Sequence, residues 1–424
     1  MKQPKYFLFF ITFAFLKKIQ FHKLPITHSI THYIMELSDI LFHVGENREN
    51  YFNAVATPVI QSSNFVFKDL AVFRSMIENE LEGRIYTRGN NPTVEILRKK
   101  VAALENAEDS LVFASGVAAI AAAVIGNVKA GDHIVSVKAP YSWTVALMQK
   151  FLPRFGVTTT FVDATDVKNI EAAIQPNTKI LYLESPNTLT FAIQDLRACS
   201  ALCKKHNLIS IIDNSHCSPI FQKPIDLGID IVVHSATKYL NGHSDVVAGV
   251  LCGTKEMVKK IFYSELMTIG AIISPHDANL MIRGLRTLDL RVKQSDASAK
   301  IIVNRLKKHP KIKKVYYALD KDTPQYKVAK SQMTGNGGLF SIETTAKTIE
   351  EAEAFFYALK RFTFAVSWGG HESLIFPTVS LYGIKGKSAP PIPFSFARLY
   401  IGLEDPDWLW EDLEAALNEI PNDK

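Results

Sequence analysis

A chain of 424 residues with 47% hydrophobic and 21% charged residues is able to bury a large interior, which excludes a mostly disordered or fibrous protein and favours a large domain joined to a smaller one. The formal charge of +6 is spread along the chain apart from pairs such as Lys99-Lys100 and Lys259-Lys260, so no basic tract marks a nucleic-acid partner. Four cysteines, Cys199, Cys203, Cys217 and Cys252, match no zinc spacing, so no metal is expected and a reducing, cytoplasmic compartment fits them.

The first 34 residues stand apart. Lys2 and Lys5 precede an apolar run from Tyr6 to Leu16 in the manner of a signal-peptide core, but the run is too short to span a bilayer. No small-residue cleavage site follows it. The preferred reading starts translation at Met35 and treats residues 1–34 as a non-native extension; an export signal is the alternative.

From about Tyr86 to Gly253 helical patterns alternate with short apolar runs, the mark of βαβ units around a mostly parallel sheet. Strands are predicted at residues 110–113, 133–137, 159–162, 179–183, 208–212 and 229–233, each rich in Ile, Val and Leu as strands covered on both faces should be. Helices are predicted at residues 93–104, 117–125 and 196–206. Cys199 and Cys203, four apart in the last of these, read as buried thiols. Beyond about Arg283 the pattern becomes a long charged helix, a Gly-broken strand region at 335–342 and a helix from Ile349, the outline of a smaller α+β domain. Leu409, Leu413, Leu417 and Ile420 recur at helical spacing near the end. The expected division is an N-terminal arm at 35–88, a large doubly wound α/β domain at 89–284 and a small domain at 285–424.

Chemistry concentrates between Leu208 and Gly249. One predicted strand ends in Asp213-Asn214, and another runs into Ser235-Ala236-Thr237-Lys238. Open α/β sheets bind ligands beyond the carboxyl ends of their strands, so Asp213 and Lys238 can converge on one small molecule. An amine and a facing carboxylate are what pyridoxal 5'-phosphate requires: one forms a Schiff base, the other pairs with the pyridinium nitrogen. The Ser115-Gly116-Val117 turn opens an Ala-rich helix whose free N–H groups suit a phosphate. Singly, each has an ordinary reading: a surface lysine, a turn-capping aspartate, a helix cap. Neither a Walker A run nor a Gly-rich dinucleotide fingerprint is present.

The segment from Ser235 to Asp245 resembles the PLP-dependent enzymes of cysteine and methionine metabolism. It is joined in family order by the segments 86–93, 114–118, 184–186 and 401–405, and the likeness covers nearly everything from Met35 onward. That resemblance implies the PLP-dependent transferase fold (fold type I), with a large domain built on a mostly parallel sheet and a smaller C-terminal α+β domain. It also implies homodimers or homotetramers with shared active sites, a small amino-acid substrate, and neither a nucleic-acid nor a membrane partner. Lys238 would carry the cofactor and later move the Cα proton. Asp213 would keep the ring nitrogen protonated. Ser115, Gly116, Val117, Ser235 and Thr237 would hold the phosphate, with Tyr86 and Arg88 reaching it from the neighbouring subunit. Tyr141 would stack on the ring and shuttle a proton; Arg398 would grip the substrate carboxylate.

Cofactor residues do not choose the reaction. The segment 365–374, with Ser367-Trp368-Gly-Gly, resembles bacterial cystathionine β-lyases, whereas many γ-acting relatives carry glutamate at the position of Val366 and leucine at that of Trp368. The expectation is therefore a carbon–sulfur β-lyase that converts cystathionine, or a related cysteine S-conjugate, to homocysteine, pyruvate and ammonia. Its alternatives are cystathionine γ-synthase, γ-lyase or O-acetylhomoserine sulfhydrylase chemistry. Two departures from β-lyases stand out: Ser215-His216 where tryptophan often follows Asp-Asn-Thr, and Val366 where tyrosine is usual.

Overall fold

The computed structural model describes residues 35–386 and 388–422, so both readings of residues 1–34 fall outside the described residues. Seven short strands make the larger sheet: β1 (Asp109–Phe113), β2 (His133–Val137), β3 (Thr158–Val162), β4 (Thr178–Glu184), β5 (Ile209–Asp213), β6 (Ile231–Ser235) and β7 (Gly249–Gly253). Their spatial order is β1-β7-β6-β5-β4-β2-β3. Within this sheet only β7 runs against the rest.

Both faces of this sheet are covered, and its sequence shows why. Val232 of β6 packs into one core cluster, while its neighbours Ile231 and Val233 pack into another on the opposite face. Helix α1 (Pro92–Leu104) adds Leu97, Val101 and Leu104 to the first cluster, and α2 (Gly116–Ile125) adds Ala119, Ile120 and Ala123 to the second. A third helix, α3 (Leu196–His206), supplies Leu196, Cys199 and Cys203 to the first. Each helix starts at a side chain that accepts a first-turn N–H. Asn91 Oδ1 takes Thr93 N at 2.9 Å, Ser115 Oγ takes Ala118 N at 3.1 Å, and Asp195 Oδ1 takes Ala198 N at 3.0 Å.

The six strands expected from the sequence all form, with ends displaced by at most two residues. The expected ends at 212 and 233 stop short because backbone pairing continues through polar residues: Asp213 pairs with Val233, and Ser235 with Gly249. β7 is absent from the sequence reading. Glycine at both of its ends gives it little strand character until its neighbours are in place.

Five strands make a second sheet: β8 (Ile312–Tyr316), β9 (Leu339–Thr344), β10 (Thr363–Phe364), β11 (Leu374–Pro377) and β12 (Phe396–Tyr400), in the order β10-β11-β12-β9-β8. All pairs in it are antiparallel except β10 with β11. The expected long charged helix is α4 (Leu288–Leu306), the next is α5 (Ile349–Ala358), and the chain closes on α6 (Pro406–Leu417). Leu409, Leu413, Leu417 and Ile420 are all buried, as their spacing implies. Among the described residues no helix is long and apolar enough to cross a membrane. All four cysteines are free and buried.

Leu413 sits fully inside the core. Leu413→Ala should lower unfolding free energy by about 2–5 kcal/mol, readable as an earlier urea midpoint with an unchanged slope.

Candidate active site

Because β5 and β6 lie side by side and parallel, their carboxyl ends open on the same edge of the sheet. A cavity of about 530 Å³ lies there, and Asp213 and Lys238 both line it. So do Ser115, Gly116, Val117, Tyr141, Ser235, Thr237, Ser367, Trp368 and Arg398. Of the site residues expected from the sequence, Tyr86 and Arg88 are not in this wall; the Arg88 guanidinium lies 5.4 Å from the centre of the exposed Tyr86 ring.

Lys238 is no surface lysine. Its Nζ donates to Ser367 Oγ at 2.7 Å and lies 5.7 Å from the centre of the Trp368 ring. Burial, with the Arg398 charge behind it, pushes the amine down to about 8, against the opposing pull of Asp213. Asp213 divides its work between turn and cavity: Oδ1 accepts from Ser215 N at 2.9 Å and Ser215 Oγ at 2.5 Å. That turn is locked to the next strand, since Ser215 Oγ accepts from Ser235 N at 2.6 Å. Burial pushes the Asp213 carboxyl up, opposed by the Ser215 bonds and by the charges of His234 and Lys238.

The start of α2 is unusually bare. A Cβ on Gly116 would come within 2.8 Å of Ser235 Cα, and one on Gly249 would meet Ser115 O at 2.1 Å. Glycine at both places lets the first turn of α2 press against the ends of β6 and β7, where its unpaired N–H groups face the cavity beside Ser235 and Thr237. Such a corner suits an anion. Thr237 Oγ1 also accepts from Ala248 N at 3.0 Å, which fixes the loop between β6 and β7.

Tyr141 is 39% exposed and lines the cavity rather than the core. Burial and the Asp213 charge raise its phenol above its ordinary value. Arg398, on β12, donates to Val366 O and lies 5.6 Å from the centre of the Phe376 ring. It is held by packing and a carbonyl, not by a surface ion pair; burial pushes it down to about 10.

Two residues escaped the sequence reading as site members. Glu184, at the end of β4, accepts from Tyr141 N at 2.7 Å and Thr188 N at 2.6 Å, and burial with the Asp213 charge pushes its carboxyl up. Its place in the segment 184–186 was the available signal. His216 lies in the cavity wall, its ring 5.2 Å from Phe191 and 6.4 Å from Trp368. Burial pushes it down to about 4, so it is a neutral ring at physiological pH.

Few ligands ask for a desolvated primary amine, a carboxylate free to meet a ring nitrogen and an anion-binding helix start within one cavity. Pyridoxal phosphate asks for all three, and the architecture is that of its fold-type I enzymes. The chain belongs to the Cys/Met metabolism PLP-dependent enzyme family, whose signature matches residues 38–418. Curated relatives include the L-methionine gamma-lyase of Treponema denticola, 38% identical over 89% of this chain and 96% of that protein. The cystathionine gamma-lyase of Bacillus subtilis is 35% identical over 91% of this chain and 100% of its own. Among solved structures, that of metB from Corynebacterium glutamicum superposes with a TM-score of 0.84 at 34% identity, covering 91% of this chain and 99% of that one. The chain is thus an enzyme of the PLP-dependent lyase family of sulfur amino-acid metabolism.

With its amine near 8 rather than the ordinary 10.5, Lys238 in the cofactor-free protein should be acylated by an amine-reactive reagent far faster than other lysines at neutral pH. Peptide mapping across a pH series should place its midpoint about two and a half pH units below theirs.

Proposed function

We propose that this enzyme is a carbon–sulfur β-lyase that takes cystathionine or a related cysteine S-conjugate, with water, to a thiol, pyruvate and ammonia; from cystathionine the thiol is homocysteine. The observation that carries this reading is the cavity wall at residues 366–368, where Val366 offers no carboxylate and the Trp368 ring closes the space beside Lys238. A carboxylate at that place would draw a distal amine or favour γ-chemistry; an indole narrows the space beyond Cβ.

Bound pyridoxal 5'-phosphate supplies an electron sink that makes the Cα proton of an attached amino acid acidic. In this reading Lys238 would hold the cofactor and would take the Cα proton, for which a nitrogen near 8 is well matched. Ser367 Oγ, within bonding reach of that nitrogen, steadies it. Asp213, with one oxygen committed to Ser215, would pair through the other with the cofactor's ring nitrogen. Ser115, Ser235 and Thr237 supply hydroxyls to the phosphate, and Gly116 and Val117 supply backbone N–H groups. Tyr141, in the cavity wall, would lie against the cofactor and would give a proton to the departing sulfur. Arg398 pairs with the substrate carboxylate, its guanidinium already aimed by the Val366 carbonyl.

Tyr86 and Arg88 would serve the phosphate of a second copy. Support comes from their absence from the wall of their own cavity and from the surface around them: Phe52 and Val66 in the same arm are 101% and 98% exposed. Apolar side chains laid open along one segment suit a subunit contact.

γ-Elimination is the second reading, favoured by the names of the relatives, which are gamma-lyases and a gamma-synthase. The keto acid decides. Incubation with cystathionine should release pyruvate; 2-oxobutyrate from cystathionine or methionine would replace the β-lyase reading with the γ one. Borohydride treatment of the cofactor-loaded protein should leave a pyridoxyl tag on Lys238, and Lys238→Ala should lose both tag and turnover. Mixing inactive Lys238→Ala and Arg88→Ala chains should restore about a quarter of wild-type activity through mixed dimers, if two copies share each site. No recovery after verified subunit exchange would confine the site to one chain.

A further inference from the structure

Behind the cavity wall, on the far side of the ends of β5 and β6, lies a buried polar cluster that the reaction above does not use. Its centre is Glu105, the residue at the carboxyl end of α1, fully buried. A single oxygen, Oε1, accepts from Asn214 Nδ2 at 3.0 Å and lies 2.5 Å from His234 Nε2. Asn214 follows Asp213 directly, and His234 precedes Lys238 by four residues on β6. From Asn214 the cluster runs on: Gln222 Nε2 donates to Asn214 Oδ1 at 3.0 Å and to Ser185 O at 2.8 Å, next to Glu184. Asn214, Gln222 and His234 are all buried. Three strand ends that carry cavity groups are therefore tied to one carboxylate.

We propose that Glu105 is a positioning residue for the cofactor: through Asn214 and His234 it fixes the separation of Asp213 from Lys238 and sets the charge that Asp213 presents to the ring nitrogen. Side-chain alternation puts Asn214 and His234 on the face of the sheet opposite Asp213, in the cluster packed by α1. There His234 acts on Asp213 through space and favours its carboxylate form. The groups that feel this pair are Asp213 from the cavity side, which also feels Lys238, and the buried thiols of Cys217 and Cys252, both of which feel the Glu105 charge. In so dry a setting a charged hydrogen bond acts at nearly full strength on its neighbours. Among the described residues no hydrogen bond reaches the second oxygen, Oε2, so all of the carboxylate's directional effect falls on the two strand ends.

The inference rests on the placement of the cofactor between Lys238 and Asp213. Its test uses the full chain loaded with pyridoxal phosphate, comparing wild type with Glu105→Gln, which keeps the shape and removes the charge, and with His234→Gln, which keeps a donor at the place of Nε2. Dissociation of the cofactor and the pH midpoint of its visible absorbance band are measured together with the melting temperature. A weaker anion opposite the ring nitrogen leaves the bound cofactor less electron-poor, so the band should titrate at higher pH in Glu105→Gln, and the cofactor should dissociate about tenfold more readily. Normal midpoint and affinity with a lowered melting temperature would reduce Glu105 to a folding role and overturn the proposal. Should Glu105→Gln fail to fold, His234→Gln decides by the same two readings. A wild-type protein without a visible band would remove the placement of the cofactor instead, which separates the two failures.

Discussion

The pairing of Asp213 with Val233, across two parallel strands, is the constraint on which the site depends. It puts a carboxylate and, five residues beyond its partner, an amine at the edge of one cavity. Burial acts on both in the direction of neutrality, raising the acid and lowering the amine. A neutral amine condenses with an aldehyde, and a reluctant carboxylate gains most from a cationic ring nitrogen set against it. The same desolvation that penalises both charges thus favours a ligand carrying both complements.

Around that pair the structure divides labour by how each group is held. Asp213 and Glu184 are fixed by backbone N–H groups, Lys238 by one hydroxyl, Arg398 by one carbonyl. The two carboxylates are each anchored twice, Asp213 by one N–H and one hydroxyl and Glu184 by two N–H groups. Lys238 rests on a single bond. The larger sheet supplies the fixed anchors, while Ser367 and Arg398 reach in from residues 363–400, where the second sheet brings β10, β11 and β12 together.

Much of this was legible in the chain itself. Strands covered on both faces betray themselves as apolar runs, and the start of α2 as Ser115-Gly116, because a cap acts locally. Asp213 and Lys238 stood out since a polar group at the end of an apolar run has few structural uses. What stayed hidden depends on meetings between distant segments. β7 becomes a strand only between β1 and β6. Glu184 and His216 become cavity groups only once β4 and the turn after β5 share a wall. The Glu105 cluster joins residues separated by more than a hundred positions, and no periodicity links them. Val366, Trp368 and His216, far apart in the chain, likewise meet only in the folded cavity wall.

The four interior thiols bear on the life of the enzyme in its own chemical surroundings. Cys199 is pushed up to about 12 by burial, and Cys203, Cys217 and Cys252 are pushed up as well. Thiolate is the form that attacks a disulfide, and none of the four offers it to solvent at neutral pH. A catalyst of sulfur amino-acid chemistry works among mercaptans and their oxidised dimers, which would otherwise become attached to it. Sequestration keeps these four thiols out of that exchange for as long as the chain stays folded.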